Sequence, residues 1–335
     1  MKKVICKSDE LVTMSRLEEI GEKEAVRRIL AQIAETESSS NVGPGDDAAA
    51  VDLGVIYLVA STDLIAQKTH FLPGMTHKQM GWMVAAVNLS DVAAMGAKPI
   101  GVLVSMGLPR NLEFELLDEI VDGVMECCES VGTELLGGDT KETPEIVLAG
   151  TGIGTVPKRG ILLRKGASPG DLLAVTGSLG LAAAGYHSLI KGLGNRRSEK
   201  ALLEPKPRIK EGMALSSSGC VTSCMDISDG LAASVHALSE ASRVGFEVDY
   251  GAIPVEKDVV EIAKQANAKP EDLVLHFGGD YHLLFTFKPE GLNMLRSRLG
   301  NTFMVIGKAK PGGENTLTRG GRSAPLDKRG YEHFR

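Results

Sequence analysis

Short motifs that contain aspartate recur along the chain, several of them beside apolar runs. Carboxylates with hydroxyl and glycine neighbours supply oxygen ligands for a hard cation and leave room for a phosphate to approach. One such motif is usually only a turn or a helix cap. Six of them together predict a shared acidic site for Mg²⁺ and polyphosphate. They read Gly45-Asp46-Asp47, Ser61-Thr62-Asp63, Asn88-Leu89-Ser90-Asp91, Gly137-Gly138-Asp139-Thr140, Asp226-Ile227-Ser228-Asp229-Gly230 and Gly278-Gly279-Asp280.

Two of these motifs have neighbours that favour a metal ligand. Asp63 comes just after the apolar run Val55–Ala60, which we interpret as a buried strand, and strand ends are where loops present ligands. Asn88 and Asp91 lie three positions apart in a predicted helix of apolar residues, so they share one face. A carboxylate on such a helix is costly unless it is paired or binds a metal.

A glycine turn and two histidines receive the more ordinary interpretation. Gly177-Ser178-Leu179-Gly180 lies between a predicted strand and a predicted helix, as phosphate-binding turns do, but no P-loop lysine follows it. Tight packing is therefore the favoured role of this turn. His236 and His276 have no partner at metal-ligand spacing.

Bulk properties exclude several classes of protein. The chain has 335 residues, of which 43% are hydrophobic and 24% charged, as in a globular protein with room for two domains. The net charge of −6 argues against nucleic acid as a partner. Neither a membrane-spanning run nor a signal peptide is predicted, and five cysteines without a Cys-x-x-Cys pair indicate neither a disulfide framework nor zinc. We therefore expect a cytoplasmic protein with no membrane partner.

The elements that must hold these motifs follow an order of mixed strands and helices. In the first half we predict a helix over 15–35, strands at Val55–Ala60, Gly101–Gly107, Glu134–Gly137 and Glu145–Val156, and helices at Thr76–Met95 and Leu112–Val131. In the second half we predict strands at Asp171–Thr176, Phe246–Tyr250 and Leu283–Phe287, helices at Leu231–Ser242 and Val259–Ala266, and a basic surface loop over 191–212. We place the domains at 1–157 and 158–335.

Taken in order, the motifs resemble those of the thiamine-monophosphate kinase family, which is in the superfamily of aminoimidazole ribonucleotide synthetase. The resemblance runs from about Gly43 to Phe334. GDD or GGDT alone would be weak, but the ordered set is specific. It comprises GDDAAAV, STDLIAQKTHFLP, AAVNLSDVAAMGAKP, LPR, LLGGDT, GTVPKRGILLRKGASPGD, VTGSLG, PKPRIKEG, MDISDGL, GGDYHLLFT and GYEHF.

The resemblance implies an α+β, α/β two-domain fold with an active site in the cleft between the domains. It implies an N-terminal, mostly antiparallel sheet that binds metal and ATP and pairs across a homodimer, followed by a C-terminal α/β domain. The implied metal ligands for several Mg²⁺ ions are Asp47, Ser61, Thr62, Asp63, Asp91, Asp139, Asp226 and Asp229. The implied ATP contacts are Gly138, Arg164 and Ser228, and the implied contacts to the thiamine substrate are His70 and Tyr331.

The implied reaction is ATP-dependent phosphorylation of thiamine monophosphate to thiamine diphosphate by direct in-line transfer. The acceptor is a phosphate monoester with a second pKa of about 6, so it is already largely ionised and needs no general base. The difficulty is to bring two anionic phosphates together, which Mg²⁺ ions make possible. A cationic thiazolium suits an aromatic face such as that of Tyr331.

One departure from the family pattern concerns the acceptor. The family usually has Gly-Glu-Asp-Tyr-Glu where this chain has Gly278-Gly279-Asp280-Tyr281-His282, and the Glu at the position of Gly279 contacts substrate in the family. Two alternatives stay open: a sibling ATP-dependent enzyme that acts on another small acceptor, and a non-catalytic nucleotide-binding protein. The second would be expected to have lost metal ligands, yet every aspartate of the core motifs is present.

Overall fold

The computed structural model describes residues 16–33 and 41–334. They fall into two compact units, of which one contains α1 (Leu17–Ile33) with 332–334 and the other contains 41–331. Helix α1 agrees with the predicted helix, although its chain is non-helical at Gly21. Within that unit Lys23 pairs with Glu332 at 3.8 Å. Cys6 and the two ends of the helix predicted over 15–35 lie outside the described residues.

Five strands of the first half form one sheet within the described chain, in the order β1-β2-β5-β3-β4. Only the β3–β4 pair is parallel, so the prediction of a mostly antiparallel sheet is confirmed. The elements are β1 (Ala49–Asp52), β2 (Ile56–Ala66), α2 (Gln67–His70), α3 (His77–Ala94), β3 (Lys98–Leu108), α4 (Phe114–Ser130), β4 (Leu135–Glu142) and β5 (Val147–Pro157).

Helix α3 is the element that carries Asp91, and two local features determine its position. Its start is capped by Thr76, whose hydroxyl accepts from the N–H of Gln79 while the Gln79 side chain accepts from the N–H of Thr76. Helix α4 packs closely on it because Gly81 and Gly123 have no side chains. A Cβ at either position would lie 1.8 Å from a carbonyl oxygen of the other helix.

The five-stranded sheet has one covered and one open face. Along β3, Val102, Val104 and Met106 are buried, whereas Leu103 and Ser105 between them are exposed. Successive side chains of a strand point to opposite faces, so α3 and α4 cover only the first set. On the other face Leu64 is 58% exposed and Leu103 is 38% exposed.

Seven strands of the second half form another sheet within the described chain, in the order β12-β11-β8-β10-β6-β9-β7. Phe246, Phe285, Phe287 and Phe303 are fully buried in it. The elements are β6 (Leu172–Thr176), α5 (Leu181–Lys191), α6 (Arg196–Leu203), α7 (Ile209–Ser218), β7 (Val221–Asp226), α8 (Leu231–Ser242), β8 (Gly245–Asp249), α9 (Lys257–Ala266), α10 (Pro270–Leu275), β9 (Leu283–Phe287), α11 (Leu292–Leu299), β10 (Phe303–Lys310), β11 (Thr316–Arg319) and β12 (Arg322–Pro325).

The prediction of a surface loop over 191–212 is wrong. That stretch contains α6 and the start of α7. Helix α6 has only eight residues, too few to show a periodic pattern, and it depends on tertiary contacts. Asn195 caps it by accepting from the N–H of Ser198 at 3.0 Å, and Gly185 of α5 lets its backbone approach.

The two sheets use residues on either side of Pro157, and a domain boundary at 157/158 remains our proposal. Within the part of the chain that the structure describes, no helix has both the length and the apolar character needed to cross a membrane.

Candidate active site

Three of the predicted ligands, Asp47, Asp91 and Asp226, meet in space although they come from distant parts of the chain. Asp47 lies just before β1, Asp91 is in the last turn of α3, and Asp226 is the last residue of β7. One carboxylate oxygen from each of the three lies within 4.8 Å of the others. We call these three residues the aspartate cluster. Carboxylate oxygens at such spacing are suitable ligands for a hard divalent cation.

Strand β2 adds two more predicted ligands to the aspartate cluster. Ser61 and Asp63 are two residues apart, so both point to the covered face of the sheet. The Ser61 hydroxyl donates to Asp91 Oδ2, and the carboxyl of Asp63 lies beside that of Asp91. Asn88 accepts from the N–H of Asp63 at 3.0 Å, which holds β2 against α3.

Arg164 neutralises one oxygen of the aspartate cluster and leaves another available. Its Nη2 and Nε donate to Asp47 Oδ1 at 2.7 Å and 3.2 Å, and its N–H donates to Asp46 Oδ1 at 2.9 Å. The other oxygen, Asp47 Oδ2, is buried and has no hydrogen-bond partner among the described residues. Buried polar atoms normally have a partner, so this oxygen fits a metal ligand.

The electrostatics of the aspartate cluster favour protonation in the absence of a cation. Burial raises the pKa of Asp226 to about 7, with the carboxylate of Asp47 as the next cause. Burial also raises the pKa of Asp91 well above its usual value, and Asp226 and Asp63 add to the effect. Like charges in a desolvated site cannot all ionise. A divalent cation would displace these protons and remove the repulsion.

The loop after β7 brings the other predicted contacts to the edge of the aspartate cluster. Ser228 and Asp229 follow Asp226 directly. Gly279 donates its N–H to the carbonyl of Ser228 at 2.7 Å, and Tyr331 donates its N–H to the carbonyl of Asp229 at 3.1 Å. Gly279 has a φ of +78°, and a Cβ there would lie 3.3 Å from that of Ala182.

Asp139 is not brought to the aspartate cluster within one chain. Its strand β4 is separated from β2 by β5 and β3, which places the two strands about 14 Å apart. Asp139 pairs in register with Ser105, which points to the open face of the sheet. Its carboxylate forms an ion pair with Lys141 at 2.9 Å. Gly138 lies beside it on the same edge strand.

Thr62 and His70 lie at either side of the end of β2 and are not among the residues of the aspartate cluster. Thr62 alternates with its neighbours on β2 and so points to the open face, where its hydroxyl donates to the carbonyl of Gly150 at 2.8 Å. His70 is the last residue of α2, and its Nδ1 accepts from the N–H of Ala66 at 3.3 Å.

The sixth aspartate motif does not join the acidic site, which corrects our expectation. Asp280 Oδ2 accepts from the N–H of Gly180 at 2.7 Å, and Oδ1 accepts from that of Ala182 at 3.1 Å. Asp280 therefore caps the start of α5. The glycine turn serves packing, as expected, because a Cβ at Gly177 would lie 2.0 Å from Cε1 of His282.

Ser90 is a site residue that the sequence analysis left without a role. Its hydroxyl donates to Asp226 Oδ2 at 2.6 Å and is fully buried. A serine directly before Asp91 was the available signal. It could not be interpreted, because the partner is distant in sequence.

Comparison with known proteins relates the chain to one family. Residues 45–156 match the family described as AIR synthase related protein, N-terminal domain, and residues 168–319 match its C-terminal domain. Two similar proteins are the thiamine-monophosphate kinases of Methanospirillum hungatei JF-1 and Pyrococcus horikoshii. They are 37% and 33% identical to the chain over 86% and 89% of its length, and 92% and 93% of their own.

A solved structure is similar over nearly the whole chain. It is AaThiL complexed with AMPPCP and TMP, with a TM-score of 0.84 and 27% identity. The similarity covers 96% of this chain and 99% of that one.

Proposed function

Because the chain belongs to the thiamine-monophosphate kinase family, we propose that it transfers the γ-phosphoryl group of ATP to thiamine monophosphate. The observation that carries this proposal is the aspartate cluster with Arg164 beside it, a site built for cations and phosphates. The similar AaThiL structure contains AMPPCP, an analogue of ATP, together with TMP, which supports both substrates.

We further propose that Asp47, Asp91 and Asp226 bind Mg²⁺, with Asp63 and Ser61 beside them. The unpartnered oxygen of Asp47 and the raised pKa values of Asp91 and Asp226 both fit ligands that a cation would satisfy. Bound Mg²⁺ would neutralise the phosphates and align the attacking and leaving oxygens. The carboxylates then hold metal and do not abstract a proton, since the acceptor phosphate is already ionised.

The remaining substrate contacts are proposed by position. Arg164 contacts the aspartate cluster and Ser228 lies in the loop that follows Asp226, so both suit the ATP phosphates. The family resemblance implies Gly138 as the third ATP contact, and we propose it as such. Tyr331 is about half exposed and lies beside Asp229, and we propose it as the contact to a cationic thiazolium, which an aromatic ring suits. We propose His70 and Gly279 as the positions that contact the phosphate acceptor.

The protein is proposed to act as a homodimer in the cytoplasm, where ATP is the phosphoryl donor. The open face of the first sheet exposes Leu64 and Leu103, and a second copy packed there would bury them. Asp139 and Thr62 point to this same face. They could therefore serve as ligands across such an interface, although they are not among the residues of the aspartate cluster of their own chain.

The test is ATP turnover with a panel of phosphorylated acceptors and Mg²⁺, with thiamine monophosphate assayed first. We expect Mg²⁺-dependent thiamine diphosphate formation that is lost in Asp226→Asn. A higher rate with another acceptor would favour the sibling enzyme, for which the glycine at 279 is the specific observation. ATP binding without turnover of any acceptor would favour the non-catalytic alternative.

A further inference from the structure

A cavity lies beside the segment that follows Gly279. It has a volume of about 250 Å³, and its lining includes Ser178, Lys206, Arg208, Asp280 and His282. We propose that this cavity is an anion-binding site, anchored by Arg208, that takes the phosphate or carboxylate group of a small metabolite. We call it the Arg208 pocket. The proposal does not depend on the kinase reaction.

Arg208 has hydrogen-bonding capacity that the chain does not use. Its Nε is buried and has no hydrogen-bond partner among the described residues. Its Nη2 lies 3.3 Å from Nε2 of His282, and its nearest carboxylate is that of Glu211, at 3.7 Å. A guanidinium donates in a planar fork that matches an oxyanion. The unpartnered Nε leaves one donor of this fork without a protein acceptor.

Its surroundings leave the charge of Arg208 poorly compensated. Burial lowers the pKa of Arg208, and the carboxylates of Glu211 and Asp280 offset that effect only in part. His282 adds no negative charge, and burial holds its pKa well below the usual value, so its ring is neutral. The carboxylate of Asp280 is already engaged by two N–H groups of α5. An incoming anion would supply the missing charge.

The side chains that line the Arg208 pocket carry more positive than negative charge. Four cationic side chains line it, against the two carboxylates of Glu204 and Asp280. Arg197 pairs with Glu256, and Lys200 pairs with Glu204 at 3.2 Å. Lys206 is exposed and has no ion pair among the described residues, which leaves it free to meet a ligand beside Arg208.

The Arg208 pocket is distinct from the aspartate cluster, because the side chains of two consecutive residues, Tyr281 and His282, point to the two different sites. The carboxylates of Asp226 and Asp63 help to raise the pKa of the Tyr281 hydroxyl, after burial, so this side chain lies near the aspartate cluster. The next side chain, His282, contacts Arg208. The charges that act on Arg208 are those of Glu211 and Asp280.

The volume of the Arg208 pocket limits the size of the ligand. Drug-sized ligands occupy pockets of roughly 300–1,000 Å³, so this cavity suits a smaller group. A phosphate or a small carboxylate fits, and a whole nucleotide does not. The main chain of His282 accepts from the N–H of Ile227 at 2.8 Å, so an occupied pocket would be joined to the loop that follows Asp226.

The test measures anion binding by isothermal titration calorimetry in EDTA without nucleotide, with inorganic phosphate and citrate as the two probes. Wild type is expected to bind at least one of them saturably in the millimolar range. Arg208→Gln should weaken that binding about tenfold or more, as for a lost charged hydrogen bond. Lys206→Gln should weaken it about threefold and, because Lys206 is exposed, should fold normally.

Two control variants locate the site. Arg298→Gln removes an arginine that contacts Ser217 elsewhere, and Arg164→Gln removes the arginine at the aspartate cluster. Arg298→Gln should bind the probe as wild type does, and retained binding in Arg164→Gln would show that the probe is not held at the aspartate cluster. The probe that binds more tightly shows whether phosphate or carboxylate is preferred. The proposal is overturned if wild type shows no saturable binding, if Lys206→Gln and Arg208→Gln both bind normally, or if Arg164→Gln alone loses binding.

Discussion

Ser90 donates a hydrogen bond to Asp226 at 2.6 Å, and this contact joins α3 to the end of β7 across 136 positions of sequence. Asp91, the next residue, is itself a member of the aspartate cluster. One turn of α3 therefore supplies a candidate metal ligand and orients a second.

Ser90→Ala should weaken metal binding without removing a ligand. Groups that orient a ligand typically change metal affinity by about 10- to 100-fold. We expect the Mg²⁺ concentration for half-maximal ATP turnover to rise about tenfold. Ser218→Ala, which removes another buried serine hydroxyl within α7, serves as the control. An unchanged Mg²⁺ dependence in Ser90→Ala would show that this hydrogen bond does not orient a ligand.

Asp63→Asn should abolish turnover while the fold is kept. The substitution removes a metal charge, and it also relieves repulsion with Asp91, so the unfolding temperature in EDTA should not fall. Asp122→Asn, at an exposed position of α4, should leave the rate unchanged. Near-normal activity of Asp63→Asn with intact Mg²⁺ dependence would contradict a metal site at the aspartate cluster.

The pKa of Asp226 predicts how stability depends on pH without metal. The folded pKa is about 7 and the unfolded value is near 4, so the folded state binds more protons between them. Stability in EDTA should therefore be greatest below pH 4 to 5, as far as this residue contributes, and decrease as the pH rises towards 8.

Urea unfolding at pH 5, 6.5 and 8 measures this dependence. We expect a decrease of free energy of unfolding on the order of 3 kcal/mol from pH 5 to pH 8. Excess Mg²⁺ and Asp226→Asn should each flatten the profile. A profile in EDTA that is flat in wild type would mean that the aspartate cluster does not hold protons.

Gly279→Glu tests whether thiamine monophosphate is the phosphate acceptor. The backbone at φ +78° and the nearby Ala182 make any side chain at this position strained. We expect a robust wild-type rate with thiamine monophosphate, which the substitution leaves unchanged or lowers. Gly279→Ala is the matched control, since it has the same backbone strain without a carboxylate. A clear gain in Gly279→Glu alone, from a wild type that barely uses this acceptor, would reject the assignment.

If the protein is a homodimer, light scattering at micromolar concentration should give the mass of two chains. Leu103→Asp on the open face of the sheet should shift the protein to monomer, because it would bury a charge at the interface. Val260→Asp, on an exposed part of α9, should not change the mass. A monomeric wild type would remove the dimer from the proposal.

Local pattern predicted much of the fold and an acidic site, and the family resemblance added which aspartates form it. The long apolar helix around Asp91 predicted α3. The apolar run before Ser61 predicted only the first part of β2, because the strand does not end before Asp63 and continues to Ala66. The aspartate motifs predicted a shared acidic site, and the family resemblance implied Asp47, Asp63, Asp91 and Asp226 among its ligands. The structure brings these four side chains together.

The tertiary structure decided which way each side chain points and which residues distant in sequence become its partners. Asp139 and Asp280 have the same type of motif as Asp226, yet one points to the open face of a sheet and the other caps α5. Sequence could not predict helix α6, because eight residues form a stable helix only when packed. The role of Ser90 and the unpartnered Nε of Arg208 likewise exist only once the chain is folded, since each depends on groups that are remote in sequence.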